Sequence, residues 1–284
     1  MMSVINKRFC RLLPVILTSV AVMAGCTSNA GRDRPAALPS ELRAGSVEGY
    51  LQPSALPNSL ALLPPPPSAG SPGLALDEEF SKKSFALRDT PAWKLAILDD
   101  NLSFPNAAGT YSCALNAPIT EQDTPHLYTL LRRTLTDAGG STREAKKHYQ
   151  RLRPFLVNKQ PFCTTGDIEG LKKSGSYPSG HNAAGTAWAL ILTEILPAQT
   201  DAILARGQAF GLSRIVCNVH WHSDTLQGRY MGAYTVARLH AEPAFRADLE
   251  AAKAELEAVR AKGLKPTRDC NAEKAGMDLQ QTLY

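Results

Sequence analysis

A chain of 284 residues with 44% hydrophobic content can bury one good core and has an ordinary globular composition. Its 31 basic residues exceed the 26 acidic ones, but Lys7, Arg8 and Arg11 lie before residue 26, where no acid occurs; taking those three from 31 leaves 28 against 26. So balanced a body excludes a general electrostatic affinity for nucleic acid or an anionic bilayer, and no nucleic-acid partner is expected.

Residues 1–25 read as an export signal. The three cations precede an apolar run over 12–23 that is short for a bilayer span, and the run ends in Val22-Met23-Ala24-Gly25-Cys26. Small residues before a cysteine resemble a bacterial lipobox, which makes Cys26 a candidate lipidation site; Val22-Met23-Ala24 also fits an ordinary cleavage site. The expected location is periplasmic, with membrane anchorage if Cys26 carries lipid. Residues 26–49 are polar and small, a flexible tether. Over 50–76, Leu51, Leu56, Leu60, Leu62 and Leu63 are interleaved with prolines that culminate in Pro64-Pro65-Pro66-Pro67. That many leucines point to an extended arm lying on the domain surface, and the arm offers a contact for a homo-oligomer.

Helical spacing then dominates, over 77–87 and over 91–100, where Thr90-Pro91 makes a good start. A helix over 124–137 is expected to stop at Gly139-Gly140. Another over 141–152 follows, with Ser141 and Glu144 as a capping box. Long, mostly apolar helices are predicted over 179–196 and 200–217, with helix resuming over 221–239. A last helix over 243–262 places Phe245, Leu249, Ala252, Leu256 and Val259 at alternating steps of four and three and ends at Gly263. Residues 50–262, arm included, are expected to form one domain, followed by a C-terminal tail over 263–284. Few β-branched alternations occur, so the expected fold class is all-α, a compact helical bundle.

Beyond the signal no segment suits a membrane span, because the best candidate, 183–196, is short and contains Glu194. Of six cysteines, Cys113, Cys163, Cys217 and Cys270 remain after Cys10 and Cys26 are set aside. Four in an oxidising compartment suggest two disulfides, with three pairings open. No CxxC spacing is present, which disfavours a structural zinc site.

Chemistry-bearing residues gather in three stretches. In the first, Lys146 and Arg153 are seven apart, sharing a face if the helix is continuous, and Pro154 ends it beside the second cation; a solvated basic face is the plain alternative. In the second, Ser179 caps a buried helix whose free amides at Gly180 suit a phosphate, with His181 in the first turn. In the third, Arg214 offers a fork of donors, and His220 and Asp224 are four apart, so a carboxylate can take the Nδ1 proton and leave Nε2 as a nucleophile. His220, His222 and Asp224 also spell HxHxD, a metal-hydrolase pattern, but Thr225 stands where that pattern needs another His and the motif follows a helix rather than a strand.

Taken together, Lys146 with Arg153-Pro154, Pro178-Ser179-Gly180-His181, and Ser213-Arg214 with His220 and Asp224 resemble the three-part signature of the type 2 phosphatidic acid phosphatase superfamily, which also holds the vanadium haloperoxidases. Leu62-Leu63 with the four prolines, Ser112-Cys113-Ala114-Leu115 and Gly175-Ser176-Tyr177 bring the likeness to the class A bacterial non-specific acid phosphatases. The resemblance spans about 50–262. It implies a helical bundle of the phosphatase/haloperoxidase type and hydrolysis of small phosphomonoesters through a phosphohistidine on His220, with no metal or cofactor. Asp224 then orients His220 and His181 is the proton donor. Lys146, Arg153 and Arg214, helped by Ser179 and Gly180, hold the phosphate oxygens, and activity is expected at acidic to neutral pH. One departure is Asn218, where the family usually has Gly. Rival readings are a vanadate-dependent haloperoxidase and a non-catalytic surface lipoprotein that keeps the fold; a membrane lipid phosphatase lacks its transmembrane helices here.

Overall fold

Proline sets where many of the helices begin. In this computed structural model Pro72, Pro91, Pro125, Pro154 and Pro243 each stand in the first turn of a helix, where the missing N–H costs nothing and the fixed φ is already helical. The structure describes the backbone of 41–43 and 46, and residues 47–164 and 168–284 in full. The signal, Cys10 and Cys26 lie outside these residues. So does most of the expected tether.

Thirteen α-helices occur among the described residues: α1 Ser59–Leu62, α2 Pro72–Ser84, α3 Pro91–Asp100, α4 Ser112–Leu115, α5 Pro125–Ser141, α6 Arg143–Tyr149, α7 Pro154–Asn158, α8 Ile168–Lys173, α9 Gly180–Ile195, α10 Thr200–Val216, α11 His222–Leu239, α12 Pro243–Ala261 and α13 Cys270–Gln280. A short antiparallel ribbon, β1 Glu41–Arg43 with β2 Ser46–Val47, precedes them. The fold is all-α, as the sequence predicts.

The apolar helix α9 is the centre. It packs against α5, α10 and α11, with Ala183, Ala184, Ala187, Trp188, Ile191 and Leu192 buried. Amphipathic α12 covers α5 with the five residues of the predicted stripe, all buried. A second apolar cluster joins Phe80, Leu87, Ala92 and Phe155 to Leu212, Ile215, Val216 and Val219, so α2, α3 and α7 rest on the end of α10. No helix of the described residues is long and apolar enough to cross a membrane.

Local expectations fail in four places. The arm is not extended throughout, since Ser59–Leu62 form α1 and α2 begins at Pro72, five residues before the expected start at 77. Helix α5 runs through Gly139-Gly140 to Ser141, since a side chain at Gly140 would stand 2.9 Å from Leu56 Cδ1; that glycine admits the arm rather than ending the helix. Ser141 caps nothing: its Oγ donates to the Ala138 carbonyl at 2.8 Å, and α6 ends at Tyr149 with Gln150 at φ 43°. The single helix over 141–152 is therefore two pieces, and Lys146 and Arg153 share no helical face. The segment after Gly263 is no free tail either. Asp269 caps α13 through its carboxylate, α13 packs on α3 and α10, and a Cys113–Cys270 disulfide fastens it. The other bridge is Cys163–Cys217.

The arm lies on the domain, with Leu51 and Leu63 buried and Leu60 and Leu62 exposed. Asp137 anchors its start, accepting the Tyr50 and Leu51 amides at 2.8 and 3.1 Å, while Thr136 Oγ1 donates to the Val47 carbonyl at 2.8 Å, so the end of the expected tether is docked. Farther along, the Tyr177 hydroxyl donates to the Pro64 carbonyl at 2.6 Å, which sets the polyproline stretch over the residues leading into α9.

Candidate active site

Backbone contacts, rather than one helix face, bring the three stretches together. A side chain at Gly175 would stand 2.7 Å from the Lys146 carbonyl and 3.2 Å from Gln150 Cα, so only glycine lets the second stretch lie on the end of α6. The Ser176 amide then donates to the Arg151 carbonyl at 2.9 Å, and the Ser179 amide to the Asp224 carbonyl at 3.0 Å. Gly228 does the same for the third stretch: a Cβ there would be 2.5 Å from the Ser179 carbonyl, so α11 can press its first turns against the start of α9.

His220 sits just before α11, in a turn closed by its own amide and that of Val219 on the Arg214 carbonyl at 3.3 and 3.2 Å. Its imidazole is 4% exposed. Nδ1 faces Asp224 Oδ2 at 3.3 Å, and Nε2 faces Arg153 Nη1 at 3.1 Å. A guanidinium can only donate, so Nε2 is the unprotonated nitrogen and the ring proton lies on Nδ1 toward the carboxylate. Burial first, then Arg153, Lys146 and Arg214, hold the imidazole well below its ordinary pKa. It is neutral, with a lone pair on Nε2.

Lys146 Nζ donates to the carbonyls of Gly175 and Ser176 at 2.8 and 3.3 Å. Arg153, the N-cap residue of α7, donates through Nε to Leu171 O at 2.9 Å and through Nη2 to Ser174 Oγ at 2.9 Å. Arg214, 1% exposed, spends Nη2 on Asp100 Oδ1 at 2.7 Å and leaves Nε and Nη1 without a hydrogen bond. Burial and mutual repulsion depress these cations: Lys146 to about 7, from burial and then Arg153, and Arg153 to about 10, from burial, with Asp224 opposing and Arg214 reinforcing. Arg214 is lowered too, burial outweighing Asp100. Buried cations in excess of their counter-charges make a pocket that attracts an anion.

His181 occupies the first turn of α9, and its Nε2 lies 3.0 Å from the Asp100 carbonyl. Burial and then Arg214 push it down to about 3. Ser179 is the N-cap of α9 and its Oγ is already shared with Asn182, accepting that amide at 3.3 Å and donating to Oδ1 at 2.9 Å, so its hydroxyl is held within the cap. Around Gly180 a Cβ would meet only Thr142 Oγ1, at 3.8 Å, which leaves the helix start open to a ligand. His222 stacks on Phe80 at 4.0 Å between ring centres, so of the HxHxD residues only His220 and Asp224 meet, and the three do not converge on one point.

The described residues thus bring together Lys146, Arg153, Ser179, Gly180, His181, Arg214, His220 and Asp224. Sequence reasoning missed three that hold them: Asp100, Arg151 and Asp77. Arg151 carried a signal, standing two residues before Arg153 in the first stretch. The other two carried none, since Asp77 stands in the acidic run Asp77-Glu78-Glu79 and Asp100 beside Asp99, each on a helix far away along the chain.

The profile of the PAP2 superfamily matches residues 126–245. The non-specific acid phosphatase of Providencia stuartii is 44% identical over 207 residues, covering 72% of this chain and 84% of its own length. That of Salmonella typhimurium is 40% identical over 214 residues, 75% and 86% of the two chains, and the acid phosphatase of Zymomonas mobilis 41% over 207 residues, 73% and 78%. The chain belongs to the bacterial class A acid phosphatases of the PAP2 superfamily. Its departure from the family pattern has a local reason. Asn218 has φ 61°, a left-handed conformation that favours glycine and that asparagine tolerates, and its side chain bonds Asn158 and the carbonyls of Gln160 and Pro161.

Proposed function

We propose that the chain is an exported acid phosphatase that hydrolyses small phosphomonoesters through a phosphohistidine on His220, with no metal. Phosphate oxygens are held by Lys146, Arg153 and Arg214 with the amide at Gly180, while Ser179 helps by capping and shaping that helix start. His220 Nε2 attacks phosphorus as the ester P–O bond breaks, and Asp224 stabilises the ring as it gains positive charge. His181 gives its proton to the departing alkoxide. It then takes one from water, whose oxygen attacks phosphorus; the N–P bond breaks, inorganic phosphate leaves and the electron pair returns to Nε2. A phosphate dianion offsets the Arg214 repulsion that adds to burial in keeping His181 neutral in the free pocket, so His181 takes up a proton from solvent as the substrate binds. Export is assigned to residues 1–25, with Cys26 as the lipid-bearing residue; mass spectrometry of the mature N-terminus decides it.

The observation that carries this reading is the orientation of His220, with a donor-only guanidinium on Nε2 and a carboxylate on Nδ1, beside unpaired nitrogens of a buried Arg214. His220→Ala should abolish turnover of p-nitrophenyl phosphate and rapid-quench phosphoenzyme, while wild-type activity persists in excess chelator. Labelling that survives the substitution removes His220 as nucleophile, and a chelator loss reversed by zinc brings back a metal mechanism.

A further inference from the structure

Asp224 is 0% exposed, and burial pushes its carboxyl up, toward the neutral form. A neutral Asp224 could neither hold the Nδ1 proton of His220 as an ionic partner nor stabilise the ring's positive charge. Its Oδ2 takes the Trp221 amide at 2.9 Å and faces His220 Nδ1. Its Oδ1 takes Arg151 Nη1 at 2.6 Å. The other end of Arg151 is committed as well: Nη2 meets Asp77 Oδ2 at 2.6 Å, and Asp77, 1% exposed on α2, also accepts the Ser223 amide at 2.6 Å and its hydroxyl at 2.7 Å. A row of alternating groups thus runs from α2 through the turn after α6 to the start of α11: Asp77, Arg151, Asp224, His220.

From this row we infer that Arg151 is a positioning residue that keeps Asp224 ionised and aimed at His220, and that Asp77 is its counter-anion, dividing the guanidinium between two carboxylates. The inference rests on the phosphohistidine reading. Geometry distinguishes Arg151 from the other cations. Lys146 and Arg153 act on Asp224 only through space and point their donors at carbonyls, Ser174 and His220, whereas Arg151 bonds the carboxylate itself. Tyr177, the ionisable group preceding α9, has its hydroxyl bound to Pro64, and from the cap of α9 the Ser179 amide meets only the main-chain oxygen of Asp224. An enzyme working at acidic pH needs such a device, because a carboxyl in this burial would otherwise take up a proton where the reaction runs.

The two outer members have opposite signs. Without Arg151, Asp224 protonates at higher pH; without the negative charge of Asp77, Asp224 is the one carboxylate left to Arg151, whose Nη1 also meets Ser223 Oγ, and the carboxyl protonates at lower pH. The test is the pH profile of kcat and KM for p-nitrophenyl phosphate, from about pH 4 to about pH 8, on Arg151→Gln, Arg151→Lys and Asp77→Asn. For Arg151→Gln the acid limb should rise by about one pH unit, about a tenfold loss in kcat on the acid side that shrinks toward neutrality, with KM little changed. Arg151→Lys should recover part of it, and Asp77→Asn should move the limb the other way. A loss equal at all pH values, a loss carried by KM, or a shift of the same sign in both variants overturns the inference. If Arg151→Gln does not fold, Asp77→Asn decides alone, and an unmoved or raised limb refutes it. Turnover retained by His220→Ala would instead overturn the underlying mechanism whatever the Arg151 profiles show.

Discussion

Helix α10 carries two arginines, each 1% exposed, that live in opposite electrostatic states. Arg206 is surrounded by its own counter-charges: Nη2 and Nη1 meet the two Asp99 oxygens, at 2.5 and 3.2 Å, and Nε meets Glu273 at 3.1 Å. Those carboxylates raise its pKa against burial. Arg214, two turns on, has one carboxylate for three nitrogens, and burial lowers its pKa. The acids are neighbours too: Asp99 points into the core and Asp100 toward the site. A buried arginine whose charge is met by two carboxylates is architecture, while one left with a single carboxylate fits the anion-binding role proposed for it.

Replacing each arginine by methionine should separate the two roles. Arg206→Met removes the main counter-charge of Asp99 and Glu273, leaving them Arg268, and should cost about 3–5 kcal/mol in denaturant unfolding, with turnover per folded molecule largely kept. Arg214→Met should lower kcat/KM about 10²–10³-fold, with a smaller stability loss. If both variants lose activity alike per folded molecule, the division is wrong.

Ligand binding sharpens the contrast. Inorganic phosphate at about a hundred times its dissociation constant should stabilise the wild type by about 2.7 kcal/mol. Arg206→Met should keep that increment and Arg214→Met should lose most of it, read as a thermal shift with and without phosphate. An equal increment in both variants removes Arg214 from the phosphate site.

The smallest effect is a titration. Burial and Arg214 hold His181 down to about 3, so between there and about 6.5 the unfolded chain binds a proton that the folded one does not. That part of the stability is present above about pH 6.5 and falls as pH drops toward 3. Arg214→Met should raise the His181 titration, followed by NMR of the imidazole in phosphate-free buffer. A midpoint that does not rise shows that burial alone sets it.

Particular residues show what was legible beforehand. The stripe from Phe245 to Val259 named both a helix and its buried face, because one periodicity carries both messages. Pro91 marked a helix start through its own ring geometry, whereas Pro154, expected to end a helix, begins α7 instead. The site residues were found as short stretches, but the reason given for Lys146 and Arg153, one helical face, was wrong: Gln150 turns left-handed, and Gly175 with the Arg151 carbonyl supplies the approach instead. Gly139-Gly140 misled for a similar reason, since the demand on Gly140 comes from Leu56, which belongs to the arm.

Local chemistry by itself therefore settled the helical class, the bounds of α3 and of α9 to α12, and the two-disulfide count, and it nominated the candidate cations and imidazoles, because propensity, period and side-chain type are properties of a residue and its near neighbours. Only the tertiary structure decided the pairing Cys113–Cys270 and Cys163–Cys217, the packing of 270–280 onto α3, the different fates of Arg206 and Arg214, and the link from Asp77 to Asp224. Each of these depends on which carboxylate, sulfur or carbonyl arrives from a distant part of the chain, and burial makes that arrival decide the charge each group carries.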